Sequence, residues 1–164
     1  MPDGQIFLIL HNIRSAYNVG SIFRTADATG VSKIYLCGYT PTPLLRQGFG
    51  GQAKVGKTAL GAEKTIPWEQ FKQTWRLLEK FKRDGIKIIA LEQTASSKNI
   101  FEYNFLKQSI AIIVGHERKG LSDKILEYAD TVVEIPMRGK KESLNVAVAT
   151  GIALYAISEQ KSRK

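Results

Sequence analysis

Short uninterrupted apolar runs alternate along this chain with longer stretches whose apolar positions recur at helical spacing. Gln5–Leu10 (QIFLIL), Lys33–Gly38 (KIYLCG), Ile86–Leu91 (IKIIAL), Ser109–Val114 (SIAIIV) and Thr131–Ile135 (TVVEI) are of the first kind. They lack the in–out alternation of a half-exposed strand and read as strands covered on both faces. Asn18–Thr29 is of the second kind, with Val19, Ile22, Phe23 and Ala26 on one side. Trp68–Arg83 likewise aligns Phe71, Trp75, Leu78 and Phe81, and it stops at Asp84-Gly85. Ser122 reads as the N-cap of a short helix through Tyr128. Ser143–Ser158 is a helix apolar on nearly every side, a pattern that asks for burial by the sheet, with a second subunit as a further cover. Thr40–Gln52, rich in proline and glycine, reads as an irregular loop, and Glu159–Lys164 as a frayed basic tail. Strands alternating with helices predict an α/β fold, a mostly parallel sheet flanked by helices, in one domain over 1–164.

Composition narrows the class. The 164 residues are 43% hydrophobic and 24% charged, which excludes disordered and fibrous chains. No apolar run approaches the ~18 residues of a membrane span. MPDGQIFLIL lacks a basic n-region and a small-residue cleavage site, so a secretory leader is not expected. The lone Cys37 excludes an internal disulfide and a cysteine-based zinc site, which fits a reducing, cytoplasmic setting. Lys+Arg 24 against Asp+Glu 15 leaves a net charge of +9, which favours a polyanionic partner.

Two phosphate-binding patterns bear on the chain. Gly51–Thr58 (GQAKVGKT) spells GxxxxGK[ST], but that pattern needs a buried strand leading straight into a helix. Here the preceding strand ends at Gly38, with Pro41 and Pro43 intervening, and Gly61 and Pro67 follow closely. A nucleotide hydrolase built on Gly51–Thr58 is therefore the weaker alternative. A Rossmann-type dinucleotide or methyltransferase site needs a glycine-rich turn after the first strand, and HNIRSAYNVGSIFR supplies none.

Three other segments each follow a buried strand, where a parallel sheet presents its ligands. In His11–Ala26, Asn18 is placed to cap the helix starting near Val19, Gly20 lets another chain approach its first turn, and Arg14 and Arg24 flank it. In Val114–Ser122 (VGHERKGLS), Gly115 allows a bend and Glu117 projects toward the same rim. In Ile135–Ala149 (IPMRGKKESLNVAVA), Ser143 and Asn145 open a helix after a turn at Gly139. Each segment alone reads equally well as a capped helix or a charged turn. Together they make one shared site more plausible than three coincidences.

NVGSIFRTADATGV, IVGHERKGLS and IPMRGKKESLNVAVATGIALY resemble, in order, the three signature motifs of the SpoU/TrmH branch of the SPOUT RNA methyltransferases. The resemblance spans about Leu8 to Tyr155, and the loop ending KTALGAE resembles the family's variable connection. It implies a SPOUT-type sheet with a C-terminal trefoil knot that binds S-adenosyl-L-methionine. It further implies a homodimer with the active site at the interface, and methylation of a ribose 2′-hydroxyl in tRNA or rRNA. Matched position by position, it assigns catalytic roles to Asn18, Arg24, Glu117, Ser143 and Asn145. The cofactor positions are Leu91, Gly115, Ile135, Met137, Ser143 and Leu144.

Methyl transfer from a sulfonium to a ribose oxygen needs alignment and help in removing a proton. A guanidinium keeps its proton to pKa above ~12, so Arg24 is expected to clamp phosphate and lower the hydroxyl pKa electrostatically rather than act as a base. Asn18, Ser143 and Asn145 would hold Arg24 and the ribose by neutral hydrogen bonds, while Glu117 would orient Arg24 or take the proton through water. RNA affinity is expected from loop cations near the rim, Arg14, Arg24, Arg118, Lys119, Arg138, Lys140 and Lys141, joined by Arg46, Lys54 and Lys57. An N-terminal RNA-binding domain is not expected, and a small, locally structured target such as a tRNA stem-loop is. A non-catalytic RNA-binding module on the same fold is the other alternative.

Overall fold

The computed structural model describes residues 4–44, 51–105 and 108–163. In chain order these form β1 (Ile6–His11), α1 (Ala16–Ala28), β2 (Lys33–Cys37), α2 (Gly51–Ala59), α3 (Ala62–Thr65), β3 (Trp68–Phe71) and α4 (Thr74–Arg83). There follow β4 (Lys87–Leu91), β5 (Lys98–Asn99), β6 (Ile110–Val114), α5 (Asp123–Leu126), β7 (Thr131–Glu134) and α6 (Val146–Ser162). The seven strands build one sheet in the order β3-β2-β1-β6-β4-β7-β5. Every pairing is parallel, with Leu8 level with both Ile34 and Ile112.

Side-chain alternation along the central strands feeds two cores. Ile6, Leu8 and Leu10 of β1 pack with Ile22 and Phe23 of α1, Val55 of α2 and Leu154 and Ile157 of α6. Phe7 and Ile9 face the opposite side, with Leu77, Leu78 and Phe81 of α4 and Ile125 of α5. That second core is aromatic at its centre, where the Phe81 ring lies 5.5 Å from Phe7 and 5.2 Å from Tyr35.

Several local expectations change. The apolar positions after Trp68 do not form one helix, because Trp68–Phe71 pairs with Ile34–Cys37 as an edge strand and the helix starts only at Thr74. Trp75 then points outward, 42% exposed, and Leu77 takes the buried position. The cap of α1 is Ser15, whose side chain accepts the Asn18 N–H at 3.2 Å, so Asn18 lies in the first turn with its amide free for other work. Asn145, not Ser143, caps α6, accepting from Ala147 N at 2.9 Å and Val148 N at 3.3 Å. Helix α6 continues through the supposed tail to Ser162, where Gln160 accepts from Phe105 N at 3.1 Å and Lys161 donates to the Gln108 carbonyl at 2.7 Å.

The segment that occupies the space at Gly20 is α2 of the same chain: a Cβ there would run into Thr58 Oγ1 and the Val55 carbonyl. This close crossing explains why a glycine-containing stretch becomes helical, since Val55 and Ala59 are sealed against the core. It also removes the phosphate-loop alternative. Gly51–Thr58 is helix rather than loop, and the Thr58 hydroxyl donates to the Tyr17 carbonyl at 2.8 Å. Of the expected loop over 40–52, residues 45–50 lie outside the described residues.

Candidate functional site

Because all strands run the same way, the segments after β1, β4, β6 and β7 emerge at one edge of the sheet. There the segments after β4, β6 and β7 enclose a cavity of about 430 Å³, and the segment after β1 lies against it through Glu117. Leu91, Gly115, Ile135, Met137, Ser143 and Leu144, each singled out from the sequence, all line it. At Gly115 a Cβ would come within 2.6 Å of the Gly120 carbonyl oxygen, so the bend leaving β6 tolerates only glycine. Gly120 itself is left-handed (φ 63), and a Cβ there would strike Glu92.

Glu92 and Gln93, at the end of β4, were missed by sequence reasoning. The Glu92 carboxylate accepts from Leu121 N and from Gln93 N, both at 2.9 Å. Gln93 Nε2 in turn donates to the Glu142 carbonyl at 2.8 Å. The β4 loop thus ties the loop after β6 to the loop after β7 and fixes the cavity mouth. The available signal was a carboxylate placed directly after an apolar strand run.

The three sequence motifs meet in a continuous hydrogen-bond chain at the rim. Glu117 accepts from Arg14 N at 3.1 Å, from Ser15 N at 3.0 Å and from Asn18 Nδ2 at 3.3 Å. Asn18 Oδ1 accepts from Asn145 Nδ2 at 3.2 Å. Burial alone would raise the Glu117 carboxyl pKa, but the Ser15 and Arg14 amides and the Asn18 side chain outweigh it and hold the group below its ordinary value. A carboxylate so held is a poor proton acceptor at neutral pH. Its contacts make it the clamp that sets Asn18.

Arg24 does not join this chain. It sits exposed on α1 and lines a separate hollow with Ser21, Thr25, Lys57, Thr58 and Tyr155. A third, mostly apolar hollow lies between Asn18, Asn145, Phe101 and the outward side of α6 at Val148, Ile152 and Tyr155. Arg14, Arg118, Lys119, Arg138, Lys140 and Lys141 are exposed on the loops of the cavity edge, and Arg118 and Lys119 also line its mouth. Lys54 and Lys57 lie on helix α2 rather than on a rim loop, and Arg46 lies outside the described residues. Behind the rim, His11 Nδ1 shares a hydrogen bond with Thr74 Oγ1 at 2.7 Å, and burial lowers its pKa. Burial pushes the Cys37 thiol up to about 12, which removes it as a nucleophile.

A model of the SpoU rRNA Methylase family matches residues 5–155. The tRNA (guanosine(18)-2′-O)-methyltransferase of Aquifex aeolicus is 34% identical over 161 residues, 98% of this chain and 72% of that protein. The 23S rRNA (guanosine-2′-O-)-methyltransferase RlmB of Shewanella oneidensis is 35% identical over 159 residues, 97% of this chain and 61% of that protein. Among solved structures, the AdoMet-bound rRNA methyltransferase from Sinorhizobium meliloti superposes with a TM-score of 0.85 at 27% identity, covering 96% of this chain and 57% of that one. The chain spans 55% to 72% of the length of the first curated relatives it matches. A match over nearly its whole length, to relatives at 34–35% identity and on a common fold, makes this chain a member of the SpoU rRNA methylase family.

Proposed function

We propose that this chain is an S-adenosylmethionine-dependent RNA ribose 2′-O-methyltransferase acting on tRNA or rRNA. It works in the cytoplasm as a homodimer of single SPOUT domains (1–164) with a trefoil-knotted C-terminal half. The observation that carries the reading is the Glu117–Asn18–Asn145 chain, which ties the segments after β1 and β7 to a carboxylate lining the cavity.

The cavity suits the cofactor. Its volume of about 430 Å³ falls within the range of small-molecule sites. Leu91, Ile135, Met137 and Leu144 offer apolar walls to a flat base, and Gly115 lets the backbone approach closely. Carboxylates of Glu92, Glu117 and Glu134 at the lining complement a positively charged sulfonium. S-adenosylmethionine, when bound there, supplies a methyl group already activated for displacement.

The protein's own residues then have to place the ribose oxygen. Asn18, locked by Glu117, and Asn145, locked by its capping bonds, present fixed amides, while Ser143 lies exposed beside them. Arg24 acts as a phosphate clamp and local positive field. Its place outside the cavity supports a site shared across two chains, in which Arg24 of one protomer serves the cavity of its partner. The half-exposed Val148 and Tyr155 on α6 support burial of that face in the dimer. The strand order, with β6 between β1 and β4 and β7 beyond β4, suits a threaded C-terminal half.

Labelled S-adenosylmethionine offered with total tRNA and total rRNA, followed by nuclease digestion, tests the reading. Label in a nuclease-resistant 2′-O-methyl dinucleotide is expected. No label in either pool, together with no cofactor binding, would leave a non-catalytic RNA-binding module instead.

A further inference from the structure

The turn after β2 holds a large aromatic ring in solvent beside the candidate site. Tyr39 is 57% exposed, yet the residues on both sides of it are fixed. Gly38 before it is left-handed (φ 65), and a Cβ there would run into the Asn12 side-chain oxygen. That same oxygen accepts the Tyr39 N–H at 3.2 Å, and Asn12 is itself left-handed (φ 54). Thr40 after it is 2% exposed, its hydroxyl donating to the Leu10 carbonyl at 2.9 Å and accepting from Ile13 N at 3.0 Å. Left-handed backbone outside glycine is uncommon, and this turn uses it to aim one ring outward.

The ring has a fixed companion. Tyr39 meets His116 edge to face, centroids 6.4 Å apart at 76°. His116 Nδ1 accepts from Arg118 N and Lys119 N, both at 3.0 Å, so in the neutral ring Nε2 carries the hydrogen. The next residue is Glu117, which binds the Arg14 amide. Arg118 and Lys119, whose amides bind the His116 ring, and Arg14, whose amide binds Glu117, are all exposed.

We propose that the Tyr39–His116 pair is a stacking platform for an unpaired nucleobase next to the nucleotide being methylated, with Arg14, Arg118 and Lys119 on the adjoining phosphates. This rests on the RNA reading above and deepens it. The substrate is an RNA loop or bulge with a splayed base, not the interior of a regular stem, whose stacked bases offer no free face. Stacking tolerates any base because each has a π-face, whereas the cations supply affinity that falls with salt.

The test is binding of a short fluorescein-labelled oligoadenylate to the full chain, by anisotropy across a salt series. Tyr39→Ala should weaken binding about 5- to 100-fold with the salt slope unchanged, since a ring and not a charge is lost. Tyr39→Leu, which keeps bulk in the turn, should behave like Tyr39→Ala, and Tyr39→Phe like the wild type. Arg118→Ala should weaken binding and make the salt slope shallower by about one. Unchanged S-adenosylmethionine binding in the Tyr39 variants reports an intact fold. Wild-type affinity in Tyr39→Leu, or equal loss in Tyr39→Phe, would overturn the platform. So would a wild-type chain that methylates tRNA or rRNA but does not bind the oligoadenylate. A wild-type chain that methylates neither RNA pool would overturn the methyltransferase reading underneath it.

Discussion

Helices α4 and α6 cover opposite faces of the same sheet, yet they turn opposite surfaces to solvent. Helix α4 buries Thr74, Leu77, Leu78 and Phe81 and sets Arg76, Lys80, Lys82 and Arg83 outward, with Lys80 paired to Asp84 at 2.8 Å. Helix α6 buries Thr150, Ala153, Leu154 and Ile157 but leaves Val148 52% and Tyr155 50% exposed. The first is a mostly charged surface, whose one exposed large apolar side chain, Trp75, has Arg76 over its ring at 5.3 Å. The second is apolar on both sides, begins at Asn145 on the rim, and borders the hollow that holds Arg24. The difference supports the proposed dimer, in which a second copy would complete the site on the α6 side.

Breaking the α6 face should have the largest effect. Val148→Asp places a charge in the proposed dimer face, while an acid in the first turn suits the helix dipole, so α6 itself should survive. We expect monomers by sedimentation velocity and loss of methyl transfer by at least about 100-fold, because interactions made only in the assembled site disappear. A wild-type chain that sediments as a monomer, or a dimer indifferent to this charge, would remove the distinction between the two helices.

The matching change on the α4 side should affect stability and little else. Leu78 is fully buried, so Leu78→Ala should cost about 2–5 kcal/mol in denaturant unfolding at fixed protein concentration. The dimer and cofactor binding should persist. A dimer lost along with that stability would mean that the two faces are coupled.

The smallest effect sharpens the role of Glu117 at the rim. Its folded carboxyl has a lowered pKa, so its stabilising contribution is present above the unfolded value of about 4.3 and is lost as pH falls through the folded value. Glu117→Gln should therefore be less stable than the wild type at neutral pH by about 1 kcal/mol at most, because the group is partly open to water. The gap should close on acidification below about pH 4. A gap that widens in acid would reverse the sign and discard the clamp.

Much of this was legible in the sequence, and the misses share a cause. The central strands were readable because β1 and β6 are buried on both faces and so appear as unbroken apolar runs. Strand β3 was not, since its four residues are an edge whose burial depends on pairing with β2, and Phe71 happens to sit in phase with the helix that follows. The cap of α1 was misassigned, and that of α6 left open, for a related reason. Ser15 and Asn18, and again Ser143 and Asn145, are competent capping residues three or two positions apart, and only tertiary partners decide between them. Asn145 is fixed from outside its helix by Asn18, a partner 127 positions away in the chain. The cavity lining was named through the resemblance to the SpoU/TrmH motifs, whose matched positions at the ends of β4, β6 and β7 all line it. The Glu92 and Gln93 ties were not, since their partners lie in two other loops.

The most direct measurement is subunit complementation between Arg24→Ala and Ser143→Ala, each expected to be nearly inactive alone. If Arg24 of one protomer serves the cavity of its partner, random reassociation yields hybrid dimers with one intact site, and the mixture should recover about a quarter of wild-type methyl transfer. A mixture no more active than its two components would contradict a site shared between chains.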